Sequence, residues 1–307
     1  MKTRLSNAEL KKIDQDVHLH PFSDLGAHAK NGGRVFNSAE HIFITDVEGN
    51  QLLDGMSGLW CSNLGYSQPT IVAAITEQLE QLPYYNSFFS CTNDAAITMA
   101  KALVDVLPEN LNHIFFTSSG SEANDTNIRL VHRYFDALGK PHKKNIISRE
   151  NAYHGSTIAA ASLGGMTYMH KQYIGLNFVH HVKQPYWYEH AEGLDANAFG
   201  LVAAQAVADK IDELGADTVA AFIAEPIQGA GGVIIPPASY WPAVEKICRE
   251  RDVLIISDEV ICGFGRTGNW WGCETFGFTP DLLTFAKAVT NGFQALGGVA
   301  VSDKITD

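Results

Sequence analysis

The chain is short of positive charge. It carries 22 lysines and arginines against 34 aspartates and glutamates, a formal net charge of −12. Such a surface repels a polyphosphate backbone, which argues against wrapping DNA or RNA as the main activity. It also lacks any apolar run near the roughly 20 residues needed to span a bilayer. Residues 1–20 are polar and charged, without the apolar core of a secretory signal. Neither membrane nor export is expected, and the cytoplasm is the expected location. Cysteine is sparse and scattered, at Cys61, Cys91, Cys248, Cys262 and Cys273, with no C-x-x-C pair. That pattern fits reduced thiols rather than a disulfide framework. There is no internal repeat, no low-complexity stretch, and no Gly-Lys-Ser/Thr to make a P-loop. No spacing of His, Asp and Glu matches a metal site. His18, His20 and His28 therefore read as punctuation in a polar arm, and no metal is expected.

What the chain does have is the balance of a folded globular protein. It has 307 residues, 46% hydrophobic and 18% charged, enough for a large domain and part of a second. Residues 1–60 read as an N-terminal segment, an arm followed by a short hairpin around Glu48-Gly49-Asn50. Residues 54–66 read as a loop, and 70–82 has helical spacing that stops at Pro83. From residue 61 to 307 one theme recurs: an apolar strand, a loop with chemical residues, then a helix. The strands are read at 114–117, 145–148, 219–224, 253–257, 282–285 and 298–302. This alternation implies an α/β fold with a mostly parallel sheet covered by helices on both faces. Ligands of such sheets sit at the carboxyl ends of the strands, where the chemical residues fall.

Four features there could carry chemistry. Ser118-Ser119-Gly120-Ser121, between a strand and a helix, suits an anion at a helix N-terminus, or is plain N-capping. Asp258 and Glu259 end a buried strand and need a cation or hydrogen-bond donors. A magnesium ion, a protonated ring nitrogen or loop N–H groups would each serve. Lys287 ends the run Leu282–Ala286, and is either a desolvated nucleophilic amine or a solvated lysine. Tyr153 and His154 either stack on a flat cofactor or pack the core. Together, an anion cradle, aromatic rings, a ring-nitrogen acid and an amine match the four features of pyridoxal phosphate.

The motifs Ser119-Gly120-Ser121-Glu122-Ala123-Asn124-Asp125, Tyr153-His154-Gly155-Ser156, Glu225-Pro226-Ile227-Gln228-Gly229, Asp258-Glu259-Val260 and 263–268 (GFGRTG) resemble those of class III aminotransferases, in the family's order. Lys287, within 286–292 (AKAVTNG), completes the set. Within that class, 58–61 (GLWC) and 82–86 (LPYYN) are similar to the pyruvate-dependent ω-aminotransferases, and 141–144 with 224–237 to the diamine (putrescine-type) group. The resemblance implies a fold-type-I transferase using pyridoxal 5'-phosphate bound as a Schiff base to Lys287. It implies that Lys287 also shuttles the proton and that Asp258 keeps the ring nitrogen protonated. Ser119, Gly120 and Ser121 would bind phosphate. Tyr153 would stack on the ring, with His154 beside it, Val260 on the opposite face, Gln228 near the phenolic oxygen and Glu225 in support. Phe22, Trp60, Phe88 and Tyr153 would line the amine pocket. The substrates implied are an amine donor such as putrescine, and pyruvate, with a homodimer as the assembly.

Two positions depart from the pattern. Gln294-Ala295-Leu296-Gly297 stands where the family usually has a proline, and Ala288 where it often has glycine. Family members also continue well past residue 307, with a cross-dimer threonine, a carboxylate-binding arginine and a C-terminal small domain. The expectation is accordingly a chain without that small domain. The rival readings are an incompetent fragment, an aminomutase or decarboxylase of the same class, and a metal-binding or non-catalytic scaffold.

Overall fold

The run Val219–Ala224 is buried at all six positions, which only a strand covered on both faces achieves. In the computed structural model, which describes residues 5–173 and 175–306, it is one of the central strands of a seven-stranded sheet. The chain divides into two units, Met1–Pro83 and Tyr84–Asp307.

The first unit pairs β1 (Phe36–Glu40), β2 (Phe43–Asp46) and β3 (Gln51–Leu53) as an antiparallel meander. The expected hairpin is its β2–β3 half, turned at Glu48–Asn50, where Asp46 Oδ1 accepts the N–H groups of Glu48 and Asn50 at 3.0 and 2.9 Å. Helix Asn7–Val17 starts with a reciprocal Ser6–Glu9 capping box, and helix Pro69–Gln81 with Pro69 in its first turn. The division expected after residue 60 falls inside this unit. Residues beyond 60 return to its strands: Tyr66 N–H donates to His41 O at 2.7 Å and the Tyr66 hydroxyl to Asp54 at 2.6 Å.

The second unit holds β4 (Leu111–Thr117), β5 (Asn145–Arg149), β6 (Val179–Val182), β7 (Val219–Ala224), β8 (Leu254–Asp258), β9 (Leu282–Phe285) and β10 (Gly297–Ser302). Their order across the sheet is β4-β10-β9-β8-β7-β5-β6, and all run one way except β10. The mostly parallel sheet is as expected. Alternate strand residues feed two cores. On one face Ile255, Leu283 and Phe285 meet helices Ala196–Leu214 and Tyr240–Glu250, where Trp241 stacks on Phe278 at 3.9 Å. On the other, Ile256, Leu282 and Val299 meet helix Gly120–Ala137 through Ala123, Ile128, Val131 and Phe135. Helices thus cover both faces. Among the described residues no helix is long and apolar enough to cross a membrane.

Candidate active site

Parallel register gathers the site. Ala224 pairs with Ser257, and Asp258 with Thr284. Glu225, Asp258 and the segment holding Lys287 therefore leave the sheet at neighbouring carboxyl ends, the expected place for a ligand.

Asp258 is buried, and its Oδ2 accepts from Asn124 Nδ2 at 2.9 Å and from His154 Nδ1 at 2.7 Å. Its Oδ1 accepts the Val260 N–H at 3.2 Å. Hydrogen-bond donors satisfy it within the chain. Of the two readings of His154, a stacking ring or a core residue, the structure has the second. Its side chain has no exposed surface, so the ring offers no open face, and it serves the carboxylate instead. Tyr153 is half-buried, and burial pushes its phenol upward from the ordinary value.

Glu225 Oε1 accepts the Tyr153 N–H at 3.1 Å and its Oε2 the Gly229 N–H at 2.8 Å, tying two site loops together. Burial raises its carboxyl above the usual range. Gln228 donates through Nε2 to Glu150 O at 2.9 Å, while its buried Oε1 has no partner among the described residues.

At the start of helix Gly120–Ala137 the capping and anion readings divide by residue. Ser119 Oγ caps the helix by accepting from Glu122 N at 3.2 Å, and Glu122 Oε2 takes the Ser118 N–H at 2.7 Å. The N–H groups of Gly120 and Ser121 belong to the first turn, where no intrahelical acceptor exists. They are free in kind to face an anion. A Cβ at Gly120 would lie 2.8 Å from Val260 Cγ2, so glycine lets this turn close against the loop after β8. Ser121 Oγ accepts from Ser156 N at 3.1 Å, and a Cβ at Gly155 would lie 2.4 Å from that oxygen. With φ at +134°, Gly155 docks the Tyr153–Ser156 loop on the helix start.

Lys287 opens a short 3₁₀ turn, Lys287–Thr290, and is partly buried. Its φ of +51° lies in the left-handed region, which a lysine occupies at a cost on the order of 1 kcal/mol or more. Strain of this kind at a strand end is characteristic of residues placed for chemistry rather than stability. Phe88 belongs to the second unit and is 70% exposed; Phe22, 69% exposed, and Trp60 belong to the first.

Sequence reasoning missed several partners. Asn124, Asn127 and Thr284 form a buried group behind Asp258. Asp14, read as part of an arm, accepts from His18 and His20 at 3.1 and 2.9 Å and faces His28 at 3.3 Å. Asp14, His18 and His20 bring their ligand atoms within 4.8 Å of one another, a cluster that spacing rules do not reveal. The hydrogen bond from His20, above all, holds the Asp14 carboxyl below its ordinary value. All five cysteines are free, and burial pushes the Cys248 thiol up to about 12, leaving it a packing residue rather than a nucleophile.

Glu259, read from the sequence as a carboxylate in need of a cation or hydrogen-bond donors, finds donors. Fully buried, it accepts from Gly272 N at 2.8 Å, Cys273 N at 2.7 Å and Ser257 Oγ at 3.1 Å. Burial outweighs these donors and raises its carboxyl from 4.5 to about 7. A raised folded-state value means a stability contribution fully present below pH 4.5 and lost as pH rises through 7. We expect Glu259→Gln to remove a pH-dependent loss on the order of 3 kcal/mol between pH 4.5 and 8. Urea melts of both proteins across that range check this; parallel pH profiles would refute it.

The family description "Aminotransferase class-III" matches residues 27–307. The putrescine–pyruvate aminotransferase of Pseudomonas aeruginosa is 47% identical over all of this chain and 68% of its own length. The chloroplastic gamma aminobutyrate transaminase 3 of Solanum lycopersicum is 44% identical over all of this chain and 60% of its own length. Among solved structures, an (S)-enantioselective ω-transaminase from Thermomicrobium roseum superposes with a TM-score of 0.96 at 39% identity, covering 99% of this chain and 68% of that one. The ω-transaminase of Pseudomonas jessenii, solved in complex with PMP, gives 0.95 at 38%, covering 97% and 66%. The chain thus spans roughly three fifths to two thirds of these proteins.

Proposed function

The chain belongs to the class-III aminotransferases, and on that premise we propose that, as a homodimer, it moves an amino group from a diamine such as putrescine to pyruvate. The products are an aminoaldehyde and alanine. Enzymes of this class depend on pyridoxal phosphate, and the fold is that of the fold-type-I ω-transaminases. The observation that carries the reading is the Asp258–Thr284 register, which sets a buried carboxylate beside the strand leading to Lys287.

Pyridoxal phosphate supplies an aldehyde that accepts amino groups and a protonated ring that draws electrons from the carbon losing its proton. This chain has groups that fit it. The buried Oε1 of Gln228 lacks a donor among the described residues and suits a phenolic hydroxyl. The N–H groups of Gly120 and Ser121 suit a phosphate, with Ser119 holding the helix start in place. On this reading Asp258 keeps the proton on the ring nitrogen, and His154 steadies Asp258. Lys287 Nζ would hold the cofactor at its aldehyde and, once the donor amine had displaced it, would be the base that takes and returns the proton of the donor's amine-bearing carbon. Glu225 holds the Tyr153 and Gly229 loops, and Tyr153 and Val260 would flank the ring. Phe88 and Tyr153 would wall the amine pocket. A second copy covers Tyr84, Phe88 and Phe89, which are otherwise largely exposed.

The test is alanine formation from pyruvate with putrescine, cadaverine, β-alanine, taurine and 1-phenylethylamine, with Phe88→Ala alongside. We expect putrescine to lead, the active species to elute as a dimer, and Phe88→Ala to reorder the amines. The tomato relative acts on gamma aminobutyrate by its name, which favours ω-amino acids as a second donor class. β-Alanine outrunning both diamines would select that class. No alanine from any donor would overturn the proposal for this chain.

A further inference from the structure

Three carboxylates stand at the carboxyl edge of the sheet, and they are held differently. Glu225 is satisfied by backbone N–H groups, and Glu259 by two backbone N–H groups and one hydroxyl. Asp258 is held at Oδ2 by two side chains, one of which is itself fully fixed. Asn124 makes every bond its amide can make. Its two hydrogens go to Asp258 Oδ2 at 2.9 Å and to His154 O at 2.8 Å. Its oxygen accepts from Thr284 Oγ1 at 2.8 Å and from Asn127 Nδ2 at 3.2 Å. Asn127 closes the triangle by donating to Thr284 Oγ1 at 2.7 Å. All three are buried without exposed surface. A flipped Asn124 would aim its oxygen at a carboxylate and a carbonyl, so only one orientation is stable.

We infer that Asn124, locked by Asn127 and Thr284, is a positioning residue that turns Asp258 so that Oδ1 faces the cofactor's ring nitrogen. This rests on the aminotransferase reading above. The lone-pair count supports it. A carboxylate oxygen accepts about two hydrogen bonds. Oδ2 is filled by Asn124 and His154, whereas among the described residues Oδ1 takes only the 3.2 Å bond from Val260 N and keeps capacity for one more donor. Thr284 is the strand residue in register with Asp258, so the relay ties the carboxylate to the neighbouring strand. Without the relay, Asp258 keeps His154 and the Val260 N–H but loses the bond that fixes its rotation, and the carboxylate can turn away from the ring nitrogen.

The test uses the whole chain and its variants Asn124→Ala, Thr284→Val and Thr284→Ser, read by cofactor affinity and by the absorption of bound pyridoxal phosphate against pH. Thr284→Val removes the hydroxyl at nearly constant volume, and Thr284→Ser restores it. We expect Asn124→Ala to raise the cofactor Kd about tenfold or more, the loss expected for a hydrogen bond to a charged group. The spectral titration midpoint should move in the same variant. Thr284→Val should move both in the same direction by less, and Thr284→Ser should return both to the wild-type values. Equal Kd and superimposable titrations for wild type, Asn124→Ala and Thr284→Val would overturn the inference alone. A wild-type chain that takes up no cofactor would overturn the functional reading and this inference with it. Melting temperatures of the cofactor-free proteins separate a folding defect, since Thr284→Ser rescues positioning only if the hydroxyl itself matters.

Discussion

Replacing Lys287 by alanine is expected to lower alanine formation by about four orders of magnitude or more, the scale at which removing a nucleophile that also serves as general base acts. No lysine adjoins it in the chain to take its place, since Ala286 precedes it and Ala288 follows. The variant keeps a Cβ at φ +51°, so the backbone of the turn is under the same constraint as in the wild type. Loss of activity then reports the amine and not a relaxed loop. A second readout is covalent. Borohydride should fix pyridoxal phosphate to the wild-type protein and leave it extractable from Lys287→Ala. A small primary amine added to the variant should restore part of the rate, because it supplies the missing nitrogen. Turnover within tenfold of wild type, with cofactor still fixed by borohydride, would remove Lys287 from the proposed role.

Asp258→Asn should be the next most severe change. The side chain keeps its shape and loses its charge, and one of its polar atoms becomes a donor. That donor would point at Asn124 Nδ2, His154 Nδ1 or the Val260 N–H, all of which now donate to Asp258. Breaking a buried charge pair costs about 3–5 kcal/mol, which corresponds to a rate loss of about 10²- to 10⁴-fold. The loss should fall on turnover more than on amine KM, because the carboxylate acts on the charge that develops during proton removal. Asp258→Glu, which keeps the charge and displaces it by one methylene, should lie between the two. A single-turnover rate for Asp258→Asn within threefold of wild type would contradict the assignment.

Much of the fold was legible because it was written in local pattern. The strands expected at 219–224 and 282–285 occur as β7 and β9, and the helix expected at 70–82 as Pro69–Gln81. Other elements were not read. β6 is four residues, VHHV, with two histidines where apolar residues would have signalled burial. Helix Ala196–Leu214 carries a clear N-cap signal at Asp195, and its buried face dilutes Phe199, Val207 and Ile211 with Gly200 and three alanines, which mark a stripe weakly. β10 runs against its neighbours, and its direction is set by pairing with β4 and β9, about which its own residues are silent.

The site divides along the same line. The sequence by itself determined the candidate residues and the order in which they arrive: the small-residue helix start, Tyr153, Glu225, Asp258 and Lys287. Those follow from strand-loop-helix alternation, which puts the loop after each parallel strand at one edge. Only the tertiary structure decided what each group faces. It turned His154 inward to Asp258, made Ser119 a cap, left Oδ1 of Asp258 the freer oxygen, and brought Asn124, Asn127 and Thr284 into one triangle from positions up to 160 residues apart. Hydrogen bonds act over about 3 Å and carry no trace in chain spacing. Their partners are chosen when the sheet closes and the buried polar atoms must find one another or go unsatisfied.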